Sequence, residues 1–459
     1  MLVPSNPTVT TSPPGSFTIR CDHRHPACFT SDWDPAVRHF TQSLSALLVV
    51  LVTVAACSDL AGPGLSPLTE LPRTLSVTEQ QVLRSSTAFG FDLIREVAAR
   101  DQRPNVVLSP FSASMALAMA LNGADGETFD EMRTTLGFPE LTLQEINDAF
   151  SSLTDLLTTL DPDVRFEVGN SLWANQDVPF HASFMQAVAA AFDARSESRD
   201  FADPATLEAI NAWAAENTGG LIDSILDELD PALALLLINA IYFDAPWATR
   251  FDPDDTTARD FRRADDSVVP VDMMSLRDVE VRLGQGPEYA AAELPCASTA
   301  FTMVIIVPHG DARSFLAELD QAAWDAVLAG LRPTTVDVLS IPKFSLMYDS
   351  FLNDALREMG MARAFRPGAD FTRMSPVGDR LCIDFVRQKT FIEIDERGTR
   401  AAAVTTVGVG VTSFTGFVVD RPFVFALRER LSGAVLFVGL VGDPTAEDPG
   451  PGDFTSTCG

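Results

Sequence analysis

Lysine is almost absent from this chain: of 33 basic residues in 459, only Lys343 and Lys389 are lysines. Acidic residues number 63, so the formal net charge is −30. Nucleic acid and anionic lipid headgroups repel such a chain, which argues against DNA or RNA as partners. Histidine is scarce, and three of the five (His23, His25, His39) precede Cys57, leaving His181 and His309 scattered. None of the six cysteines forms a C-x-x-C pair, so no metal-ligand spacing is visible and no metal or cofactor is expected. Cys296, Cys382 and Cys458 either form disulfides among themselves or are buried or free thiols. No G-x-S-x-G occurs, which removes one common nucleophile motif.

What is present begins with an address. Leu44–Ala56 is an apolar run of signal-peptide length, shorter than the ~20 residues of a membrane span. It ends in Val54-Ala55-Ala56-Cys57, which resembles the bacterial lipobox, where cleavage precedes an acylated cysteine. Cys57 is thus a candidate lipidation site and mature N-terminus; the alternative is an ordinary signal peptide cut near Ala56. The first 40 residues lack a basic n-region, and Arg38 and His39 flank the run instead, so translation is expected to start near Val37. Either way the product is extracytoplasmic, secreted or lipid-anchored to the envelope. Residues 1–56 are read as extension and signal, 57–75 as a Pro/Gly/Ser-rich tether, 76–443 as one folded domain, and 444–459 as a disordered tail.

Within the domain, helical spacing starts after Thr78, and Ser112–Asn122 reads as a buried helix. Further helices are expected over Glu127–Leu136, Leu143–Leu160, Pro204–Leu229 (broken at Gly219-Gly220) and Asp349–Met359. Strands are expected over Asn105–Pro110 (running into a Pro turn), Val164–Ala174, Val268–Val281, Phe301–Val307, Val336–Phe344, Leu381–Ile394, Pro422–Arg428 and Ala434–Val441. Leu233–Phe243 is continuously apolar, as suits a strand covered on both faces. Helices come early and strands late, without βαβ alternation, which implies an α+β fold.

Several stretches, in order, resemble the serpin family. They are Asn105–Ser112, Asn122–Met132, Asn211–Ile222, Leu237–Phe243 with Trp247 beyond it, Ile341–Phe344 and Arg421–Phe425. The resemblance implies a serpin fold, with about nine helices, three β-sheets and an exposed reactive-centre loop. It implies a monomer without cofactor that forms a covalent complex with a serine protease. It places Ser109, Ser112, Asn239 and Gln388 in the shutter, where Gln388 stands for a commoner histidine, and Trp247 at the breach. The hinge is Glu396, Gly398, Thr399, Arg400, Ala401, Ala402, Ala403, Val404 and Thr405, with Arg400 replacing a commoner acidic residue.

A loop that must become the central strand of a sheet has to suit both states. Gly398, Gly408 and Gly410 supply freedom when it is exposed. On insertion one face carries Thr399, Ala401, Ala403, Thr405, Val407 and Val409, with no charge to bury. The other carries Arg400 near the entry end. Counting from Glu396 puts the reactive bond at Thr412–Ser413; counting back from Pro422 puts it at Val411–Thr412. These small residues favour elastase-like or subtilisin-like proteases, and Phe414 would admit a chymotrypsin-like one. Rival readings are a non-inhibitory serpin serving as binding or scaffold protein, and an enzyme using Ser340-Ile-Pro-Lys343 as an S-x-x-K motif. That motif needs a helix start, whereas here it falls in a strand pattern.

Overall fold

The computed structural model describes residues 67–397 and 416–451. Ser76 and Glu79 exchange side-chain and backbone bonds in a capping box that starts α1 (Val77–Arg100). β1 (Asn105–Leu108) leads to Ser109, which caps α2 (Pro110–Leu121); Pro110 occupies the first turn, where a missing N–H costs nothing. Eleven residues of α2 are buried, as expected of a helix apolar all round. α3 (Gly126–Thr135), α4 (Leu143–Thr159), β2 (Arg165–Asn175), α5 (Ala182–Phe192) and β3 (Arg195–Arg199) follow.

α6 (Pro204–Asn217) is shorter than expected. Gly219 and Gly220 take φ of +59° and +82°, which ends the helix. Beyond them the Asn211 amide accepts from the Ile225 and Leu226 N–H groups and donates to the Leu226 carbonyl, holding that stretch without helical bonds. β4 (Leu235–Asp244) is covered on both faces. Leu237, Ile241 and Phe243 pack toward the main core, while Leu236, Ile238 and Ala240 form a second cluster with Trp173, Ile210 and Trp213 beneath α6.

The remaining elements are β5 (Thr257–Arg262), β6 (Val268–Gln285), β7 (Tyr289–Pro295), β8 (Phe301–Pro308), α7 (Ala312–Glu318), α8 (Gln321–Gly330), β9 (Arg332–Pro342), β10 (Phe344–Phe351), α9 (Asn353–Glu358), β11 (Arg387–Ile394), β12 (Gly416–Val418), β13 (Phe423–Glu429) and β14 (Val435–Val441). The expected strand Val336–Phe344 is two strands divided at Lys343, because β9 pairs with β6 and β10 with β11. That second pairing reaches Phe351, so the helix expected from Asp349 starts only at Asn353. The strand expected from Leu381 starts at Arg387.

Among the described residues there are nine α-helices and three sheets, the α+β arrangement expected. The largest sheet runs β1-β14-β13-β8-β7-β6-β9-β12, with β5 also on β6; the others are β3-β2-β4 and β10-β11. Two boundaries differ from the sequence reading. Leu68, Leu71 and Leu75 pack on the core, so the segment read as tether is folded from 67 onward. Asp448 accepts from Arg103 Nη1 (2.5 Å) and from the Asp349 N–H (2.7 Å), which holds the segment around it against the domain.

Candidate functional site

Among the described residues, β4 pairs with no strand but β2, and β11 with none but β10. Their other edges face each other, and no backbone bond joins them among the described residues. Both sides of this slot carry unpaired N–H and C=O groups, a template for an incoming strand. Two cavities lie along it. One, of about 200 Å³, is lined by Ile241, Phe243, Trp247, Phe391 and Asp395. The other, of about 450 Å³, is lined by Ser112, Leu237, Asn239, Cys382, Gln388 and Lys389.

Side chains tie the slot at intervals. At the hinge end, Trp247 Nε1–H donates to the Asp395 carbonyl across 2.8 Å, linking the chain after β4 to the end of β11. Glu396 is held on both carboxylate oxygens, by Thr256 Oγ1 at 2.7 Å and by Lys343 Nζ at 2.7 Å. Burial pushes the Glu396 carboxyl up, but Lys343 and Thr256 outweigh it and hold the group below the usual carboxylate range. Arg397 pairs with Asp395 and reaches Glu393 at 3.2 Å. Farther along, the strap after α6 crosses to β11: Lys389 Nζ donates to the Ser224 carbonyl at 2.8 Å, and Arg387 pairs with Asp227 at 3.2 Å. Lys389 thus sits on the slot, and Lys343 beside its hinge end.

The residues that the resemblance places in the shutter fall into two groups, on opposite lips of one cavity. Gln388 clasps the backbone of Ser109, accepting from its N–H at 2.9 Å and donating to its carbonyl at 3.1 Å. Ser109 Oγ donates to the Leu436 carbonyl, and the Ser112 N–H donates to Ser109 Oγ. Asn239, on the opposite lip, instead donates to Asn170 Oδ1 at 2.6 Å. The open slot separates the two groups. Among the described residues, Asn239 Oδ1 and Thr390 Oγ1 are buried without hydrogen-bond partners, a costly state that an incoming polar group would relieve. Asn170 and Thr390 escaped sequence reasoning; their polarity on apolar strand faces was the available signal.

Gly398, Thr399, Arg400, Ala401, Ala402, Ala403, Val404, Thr405, Val411, Thr412, Ser413 and Cys57 lie outside the described residues. Ser340 lies in β9, fully buried, and shares a hydrogen bond with Ser275 at 2.8 Å, so the S-x-x-K reading has no accessible nucleophile. Burial raises the thiol of Cys296, a free cysteine, to about 12, which makes it unreactive.

The profile of the family described as Serpin (serine protease inhibitor) matches residues 84–444. Bovine (Bos taurus) Serpin A3-6 is 30% identical over 414 residues, 88% of this chain and 99% of the relative. The native structure of the thermophilic serpin Tengpin superposes with a TM-score of 0.70 at 28% identity, covering 82% of this chain and 97% of that one. Human thyroxine-binding globulin complexed with its ligand gives 0.73 at 26% identity, covering 81% and 100%. The split sheet, the bound hinge glutamate and these matches together show that the chain belongs to the serpin family, which includes inhibitors of serine proteases.

Proposed function

We propose that this serpin is an inhibitor that traps serine proteases as a suicide substrate. The observation that carries the reading is the slot between β4 and β11, bounded by two unpaired edges and next in sequence to a loop without acidic residues. A protease serine attacks the reactive bond, at Thr412–Ser413 or Val411–Thr412, and forms an acyl-enzyme. The cut loop then enters the slot antiparallel to β11 and carries the protease with it.

The register follows from a tight reversal with Glu396 and Arg397 as turn residues. Thr399, Ala401, Ala403 and Thr405 then lie opposite Ile394, Ile392, Thr390 and Gln388, which are all buried. The small, uncharged face of the loop goes inward, and the Thr405 hydroxyl arrives beside the unpartnered Asn239 Oδ1. Arg400 lies opposite exposed Glu393 on the outer face, a favourable cross-strand pair. The replacement of an acidic residue by Arg400 therefore suits insertion.

Elastase-, subtilisin- and chymotrypsin-like enzymes are the proposed targets. Incubation with elastase or subtilisin should give a complex that survives SDS, and mass spectrometry of the released peptide should place the cut on one side or the other of Thr412. Cleavage without a complex would sink the inhibitory reading. It would favour a binding or scaffold role, for which the 450 Å³ cavity is the supporting observation. We further propose a monomer of bacterial lipoprotein type, with a signal segment to residue 56 and an extracytoplasmic destination through Cys57. Loss of membrane association in Cys57→Ala, with trapping retained, is the expected result.

A further inference from the structure

Met115 lies on α2 and is fully buried. Its sulfur stands 3.4 Å from two side-chain amide nitrogens, Asn170 Nδ2 on β2 and Asn239 Nδ2 on β4. Asn170 and Asn239 are direct cross-strand partners, so both amides project from the same face of that strand pair.

A chain of donors and acceptors fixes which way each amide points. The Phe192 carbonyl, at the end of α5, can only accept, and Asn170 Nδ2 donates to it at 2.7 Å. Asn170 Oδ1 is thereby turned to Asn239, whose Nδ2 donates to it at 2.6 Å. Each amide nitrogen has one hydrogen left, and Met115 Sδ accepts both. With its nitrogen turned toward β2, Asn239 presents Oδ1 on the other side, toward the slot whose 450 Å³ cavity it lines. That oxygen has no partner among the described residues. A thioether accepts and never donates, so Met115 satisfies the two nitrogens without quenching the oxygen. A hydroxyl or amide in its place would bring a donor of its own.

We infer that Met115 is a positioning residue of the slot: its sulfur locks the Asn170 and Asn239 amides and keeps Asn239 Oδ1 aimed as a bare acceptor at the donor of an arriving strand. A strand that offers an N–H or O–H at that depth gains a buried hydrogen bond, and one that offers an apolar group or an acceptor leaves the oxygen orphaned. The slot thus selects for a donor at one level along its length. This role rests on the reading that the slot receives a strand.

Met115→Leu removes the acceptor at nearly constant volume. Met119→Leu makes the same change at a second fully buried methionine of α2, which hydrogen-bonds to neither amide. In the uncleaved full chain, Met115→Leu should shift the side-chain amide NMR signals of Asn170 and Asn239 and speed their exchange with water; Met119→Leu should do neither. With elastase or subtilisin, Met115→Leu should give about threefold more cleaved product per SDS-stable complex, the effect of one weak hydrogen bond. The uncleaved form should still melt within ~3 °C of wild type. Unchanged amide signals overturn the inference. So does an altered spectrum with an unchanged product ratio, or an equal change of ratio in Met119→Leu, which would make the effect one of packing. If the wild type itself forms no complex, the inhibitory reading falls, and the amide signals alone decide whether the sulfur orients Asn239.

Discussion

Glu79 joins the start of α1 to the chain before it. Burial pushes its carboxyl up, but Arg73 and the Ser76 N–H outweigh this and hold it down at about 2. A carboxyl lowered on folding stabilises above the ordinary value of 4.5 and loses that effect as pH falls toward 2. The contribution at neutral pH is at most about 3 kcal/mol. Glu79→Gln should therefore lower the melting temperature at pH 7, with a gap from wild type that narrows steadily toward pH 3. Glu396 follows the same sign, since its carboxyl is also lowered. Glu396→Gln should loosen the hinge and quicken spontaneous loss of trapping activity about fivefold at neutral pH, equivalent to ~1 kcal/mol. Acidification of the wild type through the Glu396 titration should produce the same acceleration; equal rates for mutant and wild type at pH 7 would show that the Lys343 and Thr256 contacts do not restrain the hinge.

At the level of elements, β11 and the proposed incoming strand should be coupled through Glu393 and Arg400. Arg400→Glu should lower the melting temperature of the loop-cleaved form, and adding Glu393→Arg should restore it, with a coupling of ~0.2–1 kcal/mol in a double-mutant cycle. The helices with strong caps and the apolar strands β4, β8, β13 and β14 were legible because local pattern and burial agree. β3, with the sequence Arg-Ser-Glu-Ser-Arg, was not, because it is an exposed parallel edge with no apolar alternation to announce it. The end of α6 and the start of α9 were misplaced because their boundaries depend on partners far along the chain, Asn211 for one and β11 for the other. Asn239 and Gln388 on the slot could be singled out from sequence, but Thr390 was not. The slot's opening, and hence the parting of Asn239 from Gln388, could not be read there, since a gap between strands leaves no mark on either strand's own pattern.

For the whole molecule, insertion of about ten residues between two open edges would form roughly ten or more backbone hydrogen bonds, worth on the order of 10 kcal/mol net. That is comparable to the entire stability of an ordinary domain. Cleavage within 406–413 should therefore raise the melting temperature by ~10 °C or more, measured by calorimetry on intact and nicked protein; an unchanged melt would count against insertion. The scarcity of lysine has a practical consequence at this scale. Apart from the terminal amine, an acylating reagent meets only two amines, one holding Glu396 and the other holding the Ser224 carbonyl. The mass gained by each lysine peptide would record separately whether the hinge has let go and whether the strap has lifted, turning ordinary amine chemistry into a two-channel clock for the conformational change.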